Sequence, residues 1–391
     1  MKLKSYISAQ LGGKTVILRV AYETPVKMAG NSFMVEDDNR LKASLPTINY
    51  LVKKECKIVL VSYNGRPKGE EEKLKMDPQA KRLSVMLGRK IDKLDDCVGP
   101  KVEEFVAKMQ PKEIVLLENT RFHPEEKKNN SAFAKKLAKL GQVFINDAFA
   151  QSYEPHASTT AITKFLPSYA GPLLIQEVEN LSKVVQNPKR PFVAIIGGAK
   201  ISNKIKVINK LLEKADYVLL GGALANTILI AQGIQVGTSL IEEEYVTIAK
   251  KLPITSLKLK IPVDVLVAST ALSSQSLPRP VGSVKPQEKI LDIGPDTIDL
   301  YERIIATAKT IVWNGPMGMY EKSQFSYGTT KIAQAVAKAR AKSYVGGGET
   351  VDFIRDNKLE KQIDFISTGG GAMLQFIKDG TLPALKPLTI K

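Results

Sequence analysis

Phe192-Val193-Ala194-Ile195-Ile196-Gly197-Gly198-Ala199-Lys200-Ile201-Ser202-Asn203-Lys204 opens with five apolar residues, three of them β-branched, and then breaks into two glycines. An uninterrupted apolar run of this length suits a strand buried on both faces, as in a parallel sheet. Glycines placed directly after such a strand let the chain turn into a helix while leaving backbone N–H groups bare. Bare N–H groups at a helix N-terminus bind anions, phosphate above all. The device recurs: Gly221-Gly222 follows Tyr217–Leu220, Gly346-Gly347-Gly348 follows Ser343–Val345, and Gly369-Gly370-Gly371 follows Phe365-Ile366. Four such turns in one half of the chain predict a polyphosphate held along a crevice at the strand ends.

Outward from this run, the pattern extends over most of the chain. In the first half Val16–Val20, Lys57–Val61, Ile114–Leu117 and Val143–Ile145 read as buried strands of a parallel sheet. Leu41–Lys53, Gln79–Leu87 and Ser131–Leu140 have helical periodicity between them. In the second half the expected strands are Phe192–Ile196, Tyr217–Leu220, Ile261–Val267, Thr310–Trp313, Ser343–Val345 and Asp364–Ile366. Strands alternating with helices predict an α/β protein. Pro and Gly cluster at Leu166–Pro172, which marks a boundary between residues 1–170 and 171–374. The helix Leu174–Gln186 that follows ends at Asn187-Pro188-Lys189-Arg190-Pro191 and is expected to couple the two halves. Ser269–Pro286, rich in Ser and Pro, is expected as a surface loop.

A chain of 391 residues exceeds one ordinary core, which also argues for two domains. Hydrophobic content of 43% and charged content of 25% are those of a globular protein in water. The net charge of +17 suits nucleic acid, an anionic membrane or anionic metabolites. Its lysines and arginines are scattered, and clusters such as Lys127-Lys128 and Lys135-Lys136 read as solvated helix faces, so no nucleic-acid partner is expected. Cys56 and Cys97 have no metal-binding spacing, and with His123 and His156 as the only histidines a zinc site is not expected. There is no disulfide framework, no apolar signal core and no run long enough to span a bilayer; a cytoplasmic protein without membrane insertion is expected.

Three further segments bear on phosphate chemistry. Lys200 and Lys204 are four apart; on a helix they would share a face and neutralise a polyphosphate together. Trp313-Asn314-Gly315-Pro316-Met317-Gly318 ends another strand in a turn, with Glu321 just beyond. Gly346-Gly347-Gly348-Glu349-Thr350 places a carboxylate at a helix start, where it could hold Mg²⁺ bridging phosphate oxygens or simply complement the helix dipole. Neither GxxxxGK[ST] nor GxGxxG is present, so these are not the loops of a P-loop or dinucleotide-binding protein.

Together the segments resemble phosphoglycerate kinase along almost the whole chain. Val193–Lys204 is similar to that family's GGAKVSDK segment, Trp313–Glu321 to WNGPMGVFE, Gly346–Thr350 to GGGDT, and Ser367–Ala372 is identical to STGGGA. Asp38–Ile48, Glu118–Phe122 and Asn146–Phe149 match in the first half. The resemblance implies two Rossmann-like domains with parallel sheets joined by a hinge, with residues 375–391 returning to the first domain, and a monomer acting on small molecules. It implies reversible phosphoryl transfer, in glycolysis, between 1,3-bisphosphoglycerate and MgADP, giving 3-phosphoglycerate and MgATP. Carried onto this chain, Gly198, Lys204, Gly222, Asn314, Pro316, Glu321, Gly347, Gly348, Glu349 and Thr350 would contact ATP, ADP or Mg²⁺, with Glu349 on the metal. Arg40, Lys200 and the helix start at Gly370 and Gly371 would stabilise the phosphoryl group in flight, and Arg19, Arg40, Gly65, Arg66 and Arg121 would hold the phosphoglycerate.

The acceptor motifs depart from the family pattern. RVDFNVP is here Arg19-Val20-Ala21-Tyr22-Glu23-Thr24-Pro25, and SHLGRPKG is Ser62-Tyr63-Asn64-Gly65-Arg66-Pro67-Lys68-Gly69. The phosphate-binding Arg of NDAFGTAHRAHAS is Glu154. Ala21, Glu23, Tyr63, Asn64 and Glu154 are therefore altered acceptor positions, and Glu23 and Glu154 could each pair with a surviving arginine. An Arg-to-Glu exchange swings the charge beside a phosphate dianion by two units, on the order of several kcal/mol where the contact is partly buried. This sets the family activity against a nucleotide-binding paralogue without it and a kinase for a different acceptor.

Overall fold

The opening run forms the strand Phe192–Ile196, buried along its whole length. It lies inside a six-stranded parallel sheet in the order Leu259–Lys260, Tyr217–Leu220, Phe192–Ile196, Thr310–Asn314, Lys342–Val345, Phe365–Ile366. A second six-stranded parallel sheet has the order Asp92–Lys93, Ile114–Leu116, Lys57–Val61, Thr15–Arg19, Val143–Asn146, Ser168–Ala170. The computed structural model describes residues 1–30 and 32–390. They form two compact units, 1–30 and 32–180 with 381–390 in one and 181–380 in the other, so the fold is two α/β domains. The division falls within the helix Pro172–Gln186, which passes from one unit into the other. Lys391, the last residue of the segment expected to return to the first domain, lies outside the described residues. No described helix is long and apolar enough to cross a membrane.

Alternation of side chains along buried strands fills both faces of a sheet at once. In the first unit Val16, Leu18, Ile58, Leu60, Leu116 and Ile145 join one apolar cluster, with Leu41, Ile48 and Leu51 of the helix Asn39–Lys53. Ile17, Val59, Val61, Val115 and Phe144 join the other, with Phe133 and Leu137 of the helix Ser131–Ala138. In the second unit Val193, Ile195, Leu219, Ile311, Trp313 and Val345 share a cluster with Ile298, Tyr301 and Ile305 of the helix Pro295–Thr307.

Both sheets are built outward from a central strand, first to one side and then to the other. The direction changes between Thr15–Arg19 and Val143–Asn146 in the first sheet, and between Phe192–Ile196 and Thr310–Asn314 in the second. Loops leaving the carboxyl ends of such neighbours diverge and open a crevice, where ligands of open α/β sheets bind.

The region expected as the strand Ile261–Val267 is different. The parallel edge strand is Leu259–Lys260, and the following strand, Asp264–Ala268, pairs antiparallel with Leu277–Pro280 and Lys289–Ile293 in a separate three-stranded sheet. Pro262 has no N–H to continue the ladder, so the apolar run divides there into strands of two sheets. The segment Ser269–Pro286 accordingly is not all loop, since it carries the strand Leu277–Pro280.

Candidate active site

In the second unit the glycine turns lie against one another at the carboxyl edge of the sheet. Gly198 N–H donates to Pro316 O (2.7 Å), Gly222 N–H to Met317 O (2.7 Å) and Gly197 N–H to Asn314 O (2.9 Å). This contact requires glycine. A Cβ on Gly315 (φ +95°) would fall 2.3 Å from Gly197 O, and one on Gly222 (φ +68°) 2.6 Å from Gly198 N. Gly370 is as tightly placed, since a Cβ there would fall 2.5 Å from Gly347 Cα. Asn314 and Thr350 act as stitches: Asn314 Nδ2 donates to Gly346 O (2.7 Å), and Thr350 Oγ1 accepts from Gly315 N–H (2.7 Å).

Beside these loops is a cavity of about 400 Å³, lined by Gly198, Gly222, Pro316, Glu321 and Glu349 among the residues singled out above. Leu240, Val265, Ile290, Met317 and Met319 also line it and were not singled out as site residues. They carry no phosphate chemistry, and Val265 and Ile290 come from the antiparallel sheet that the apolar pattern did not reveal. A glycine rim beside an apolar chamber suits a nucleotide, with phosphates on the rim and the flat base inside.

Lys200 and Lys204 do not share a helix face. The helix is Ile205–Lys214, and the chain from Ile201 to Lys204 makes a turn. Lys200 is exposed, whereas Lys204 is half-buried and donates from Nζ to Gly197 O (2.5 Å). Burial pulls the Lys204 pKa down to about 8, against the attraction of Glu349. Glu349 is exposed in the first turn of the helix Gly348–Asp356, and a Cβ on Gly198 would come within 3.9 Å of its Oε2 and 2.9 Å of Lys204 Nζ. Ammonium and carboxylate thus face one glycine cradle. Gly348 and Gly371 are exposed, and a Cβ on either would meet nothing within 4 Å.

In the first unit the singled-out residues gather at the carboxyl edge of the other sheet. Arg19 is fully buried; its Nε donates to Ser158 Oγ (2.8 Å) and its Nη1 to Gln151 Oε1 (2.6 Å). Arg121 donates from Nη1 to Gly65 O (2.7 Å), where the chain turns at φ +66°. Its Nη2 lies 3.3 Å from His156 Nε2, and His156 Nδ1 lies 3.2 Å from Glu154 O. Burial, reinforced by Arg19 and Arg121, lowers the His156 pKa to about 3. The ring is therefore neutral, with Nδ1–H donating to Glu154 O and Nε2 accepting from Arg121.

The carboxylates of Glu23 and Glu154 behave differently. Glu23 does meet an arginine: Arg40 Nη1 donates to the Glu23 carbonyl (2.5 Å) and lies 3.7 Å from its carboxylate. Glu154 does not. Its half-exposed carboxylate is 3.9 Å from the neutral His156 Nε2, and no arginine pairs with it among the described residues. Arg66 is exposed and Ala21 half-buried.

Six buried side-chain atoms lack a hydrogen-bond partner among the described residues, and four of them belong to this edge: Arg19 Nη2, Tyr63 Oη, Asn64 Nδ2 and Arg121 Nε. All four can donate. Buried polar groups normally find partners within the protein, so four unpartnered donors at one edge mark a candidate anion site.

Comparisons with known proteins identify the family. The family model for phosphoglycerate kinase matches residues 7–380. Over 397 residues the chain is 43% identical to a phosphoglycerate kinase of Pelotomaculum thermopropionicum, covering 100% of both chains. It is 44% identical over 388 residues to one of Moorella thermoacetica, covering 98% of both. Among solved structures it resembles phosphoglycerate kinase from Coxiella burnetii with a TM-score of 0.83 at 36% identity, over 99% of both chains. The enzyme from Pyrococcus horikoshii gives 0.86 at 30% identity, over 99% of this chain and 98% of that one. Matches of this length and identity, reached through sequence and through fold alike, mean that the chain belongs to the phosphoglycerate kinase family.

Proposed function

We propose that the protein transfers a phosphoryl group reversibly between 1,3-bisphosphoglycerate and MgADP, giving 3-phosphoglycerate and MgATP. The observation that carries this reading, beyond family membership, is the set of idle buried donors on Arg19, Asn64, Arg121 and Tyr63. A site that had lost its anionic ligand would have no reason to keep them unpaired, since each opposes folding. Of the altered positions, Glu23 pairs with Arg40 and with neither Arg19 nor Arg121, which keep one unpartnered nitrogen each.

In the forward direction a phosphoryl oxygen bond of the acyl phosphate breaks as an ADP oxygen bonds to phosphorus, and the carboxylate leaves with the bonding electrons. The transition state is loose and spreads negative charge over three equatorial oxygens, so catalysis is chiefly positioning and charge stabilisation. Arg19, Arg121 and Asn64 hold the acceptor, and Arg40 joins them once freed from Glu23. The glycine rim and Lys204 hold the nucleotide phosphates, while Lys200, exposed just before the turn Ile201–Lys204, follows the moving group. The helix Gly370–Asp379 begins at Gly370 and Gly371 and adds the positive end of its dipole. Glu349 fits a magnesium role, being an exposed carboxylate at a cradle that glycine keeps open, and Mg²⁺ bound there would neutralise phosphate charge. In-line transfer needs the donor and acceptor to meet, which on this reading is the work of hinge closure.

A coupled assay with 1,3-bisphosphoglycerate and MgADP tests the proposal, with turnover in the ordinary range of the family expected. Calorimetry with MgADP tests the donor side separately. Nucleotide binding without turnover would replace this reading by a paralogue or a kinase for another acceptor.

A further inference from the structure

Asp96, Cys97 and His123 lie outside the residues assigned to either substrate, yet the fold gathers a carboxylate oxygen, a thiol sulfur and a ring nitrogen of theirs within 4.8 Å of one another. Asp96 and Cys97 follow the short strand Asp92–Lys93, and His123 comes twenty-seven positions after Asp96, immediately before the short helix Pro124–Lys127. The chain spacing that argued against a zinc site says nothing of residues brought together from separate segments. Two of the three donors are held by their surroundings. Asp96 Oδ1 accepts from the N–H groups of Cys97 (2.6 Å) and Val98 (3.4 Å) and lies 2.8 Å from His123 Nε2. The imidazole packs on the Phe133 ring, with centroids 5.0 Å apart. Such outer contacts orient ligands before an ion arrives. Cys97 is fully buried, whereas Asp96 is exposed and His123 half-buried, so the group opens to solvent on the carboxylate and imidazole side. Burial, with the carboxylates of Asp96, Glu126 and Glu118 nearby, pushes the Cys97 thiol pKa well up. Negative charge that opposes a bare thiolate favours one neutralised by a cation.

We infer that Asp96, Cys97 and His123 form a binding site in the first unit for a divalent cation of the zinc class. Sulfur, nitrogen and oxygen donors together suit a borderline-soft ion, whereas Mg²⁺ and Ca²⁺ take oxygen. A thiolate and a carboxylate balance the two charges of the ion, which a half-buried place requires. Three protein ligands leave a fourth tetrahedral position to water. As the sulfur–metal bond forms, the thiol proton passes to solvent, and the Asp96–His123 hydrogen bond is replaced by a bond from each residue to the metal.

Full-length protein stripped with EDTA and dialysed is titrated with Zn²⁺ by calorimetry. One ion per chain is expected, with a Kd on the order of 1 μM or tighter and about one proton released. Excess Mg²⁺ should not compete. Co²⁺ in the same place should give thiolate-to-metal absorption in the near ultraviolet. His123→Ala and Asp96→Asn change side chains that reach solvent, so both variants should fold, and each should weaken Zn²⁺ on the order of tenfold or more. Cys97→Ser should remove the cobalt–thiolate absorption; should this buried substitution fail to fold, the other two variants still decide. Zn²⁺ binding that survives both His123→Ala and Asp96→Asn, or Co²⁺ bound without the thiolate absorption, would place the ion elsewhere and overturn the inference, as would the absence of saturable binding. None of these readouts involves phosphoryl transfer, so their outcome is independent of the kinase reading.

Discussion

Replacing Lys204 by Met should stabilise the unliganded protein while disabling its nucleotide site. Burial lowers the Lys204 pKa from 10.5 to about 8. At about 1.4 kcal/mol per unit, the charged ammonium costs the folded state about 3 kcal/mol. Below pH 8 the lysine is protonated in both folded and unfolded chains, and this cost is fully present. Between about pH 8 and 10.5 the unfolded chain binds the extra proton, so the cost fades as pH rises. Methionine matches the length and avoids the charge, but loses the hydrogen bond to Gly197 O, about 1 kcal/mol. The net expectation at pH 7 is a gain of about 2 kcal/mol, or about 5 °C in the midpoint of a unit of this size. Trp313 is the only tryptophan and is fully buried in the second unit, so urea unfolding followed by its fluorescence reports on the right half. At pH 10 the gain should have largely disappeared. Calorimetry should show MgADP binding weakened by about two orders of magnitude, because a charge-assisted phosphate contact is gone. A Met variant less stable than wild type at pH 7, or a gain that persists at pH 10, would refute the argument.

Other perturbations probe the remaining charges. Glu349→Gln should reduce the preference for MgADP over metal-free ADP by about tenfold with little change in binding of free ADP, measured by calorimetry with magnesium and with EDTA. Glu154→Arg should lower the KM for 3-phosphoglycerate by about tenfold at low salt, the scale of a two-unit charge change at a half-exposed position, and the gain should shrink as salt is added. His156→Gln should remove an acid sensitivity: the wild-type imidazole, with its pKa lowered from 6.5 to about 3, contributes stability above pH 6.5 that is lost as pH falls towards 3. At pH 4.5 that loss amounts to about 2–3 kcal/mol, so the urea midpoint of the variant should fall less between pH 7 and pH 4.5.

The parallel strands were legible because burial on both faces writes an apolar run that no other element explains. Lys57–Val61, Phe192–Ile196 and Tyr217–Leu220 have the ends read from the sequence. Short edge strands such as Asp92–Lys93 and Ser168–Ala170 carry too few residues to show a pattern. The run Ile261–Val267 misled for a related reason: its apolar character recorded burial, and burial does not say in which sheet. The two lysines failed through geometry. Their four-residue spacing has meaning only on a helix, and the helix begins after both of them.

Sequence alone determined that this chain is α/β and that glycine turns follow the buried strands of its second half. Those properties are local, because they follow from a few adjacent side chains and the backbone angles they permit. Where Glu23, Glu154 and Tyr63 find their partners was decided by tertiary structure. Glu23 meets Arg40 across seventeen positions of chain, Glu154 turns to His156, and Tyr63 lies beneath Arg121, fifty-eight positions away. A carboxylate beside an arginine neutralises it, whereas one beside a neutral imidazole does not, and only the folded chain sets these distances.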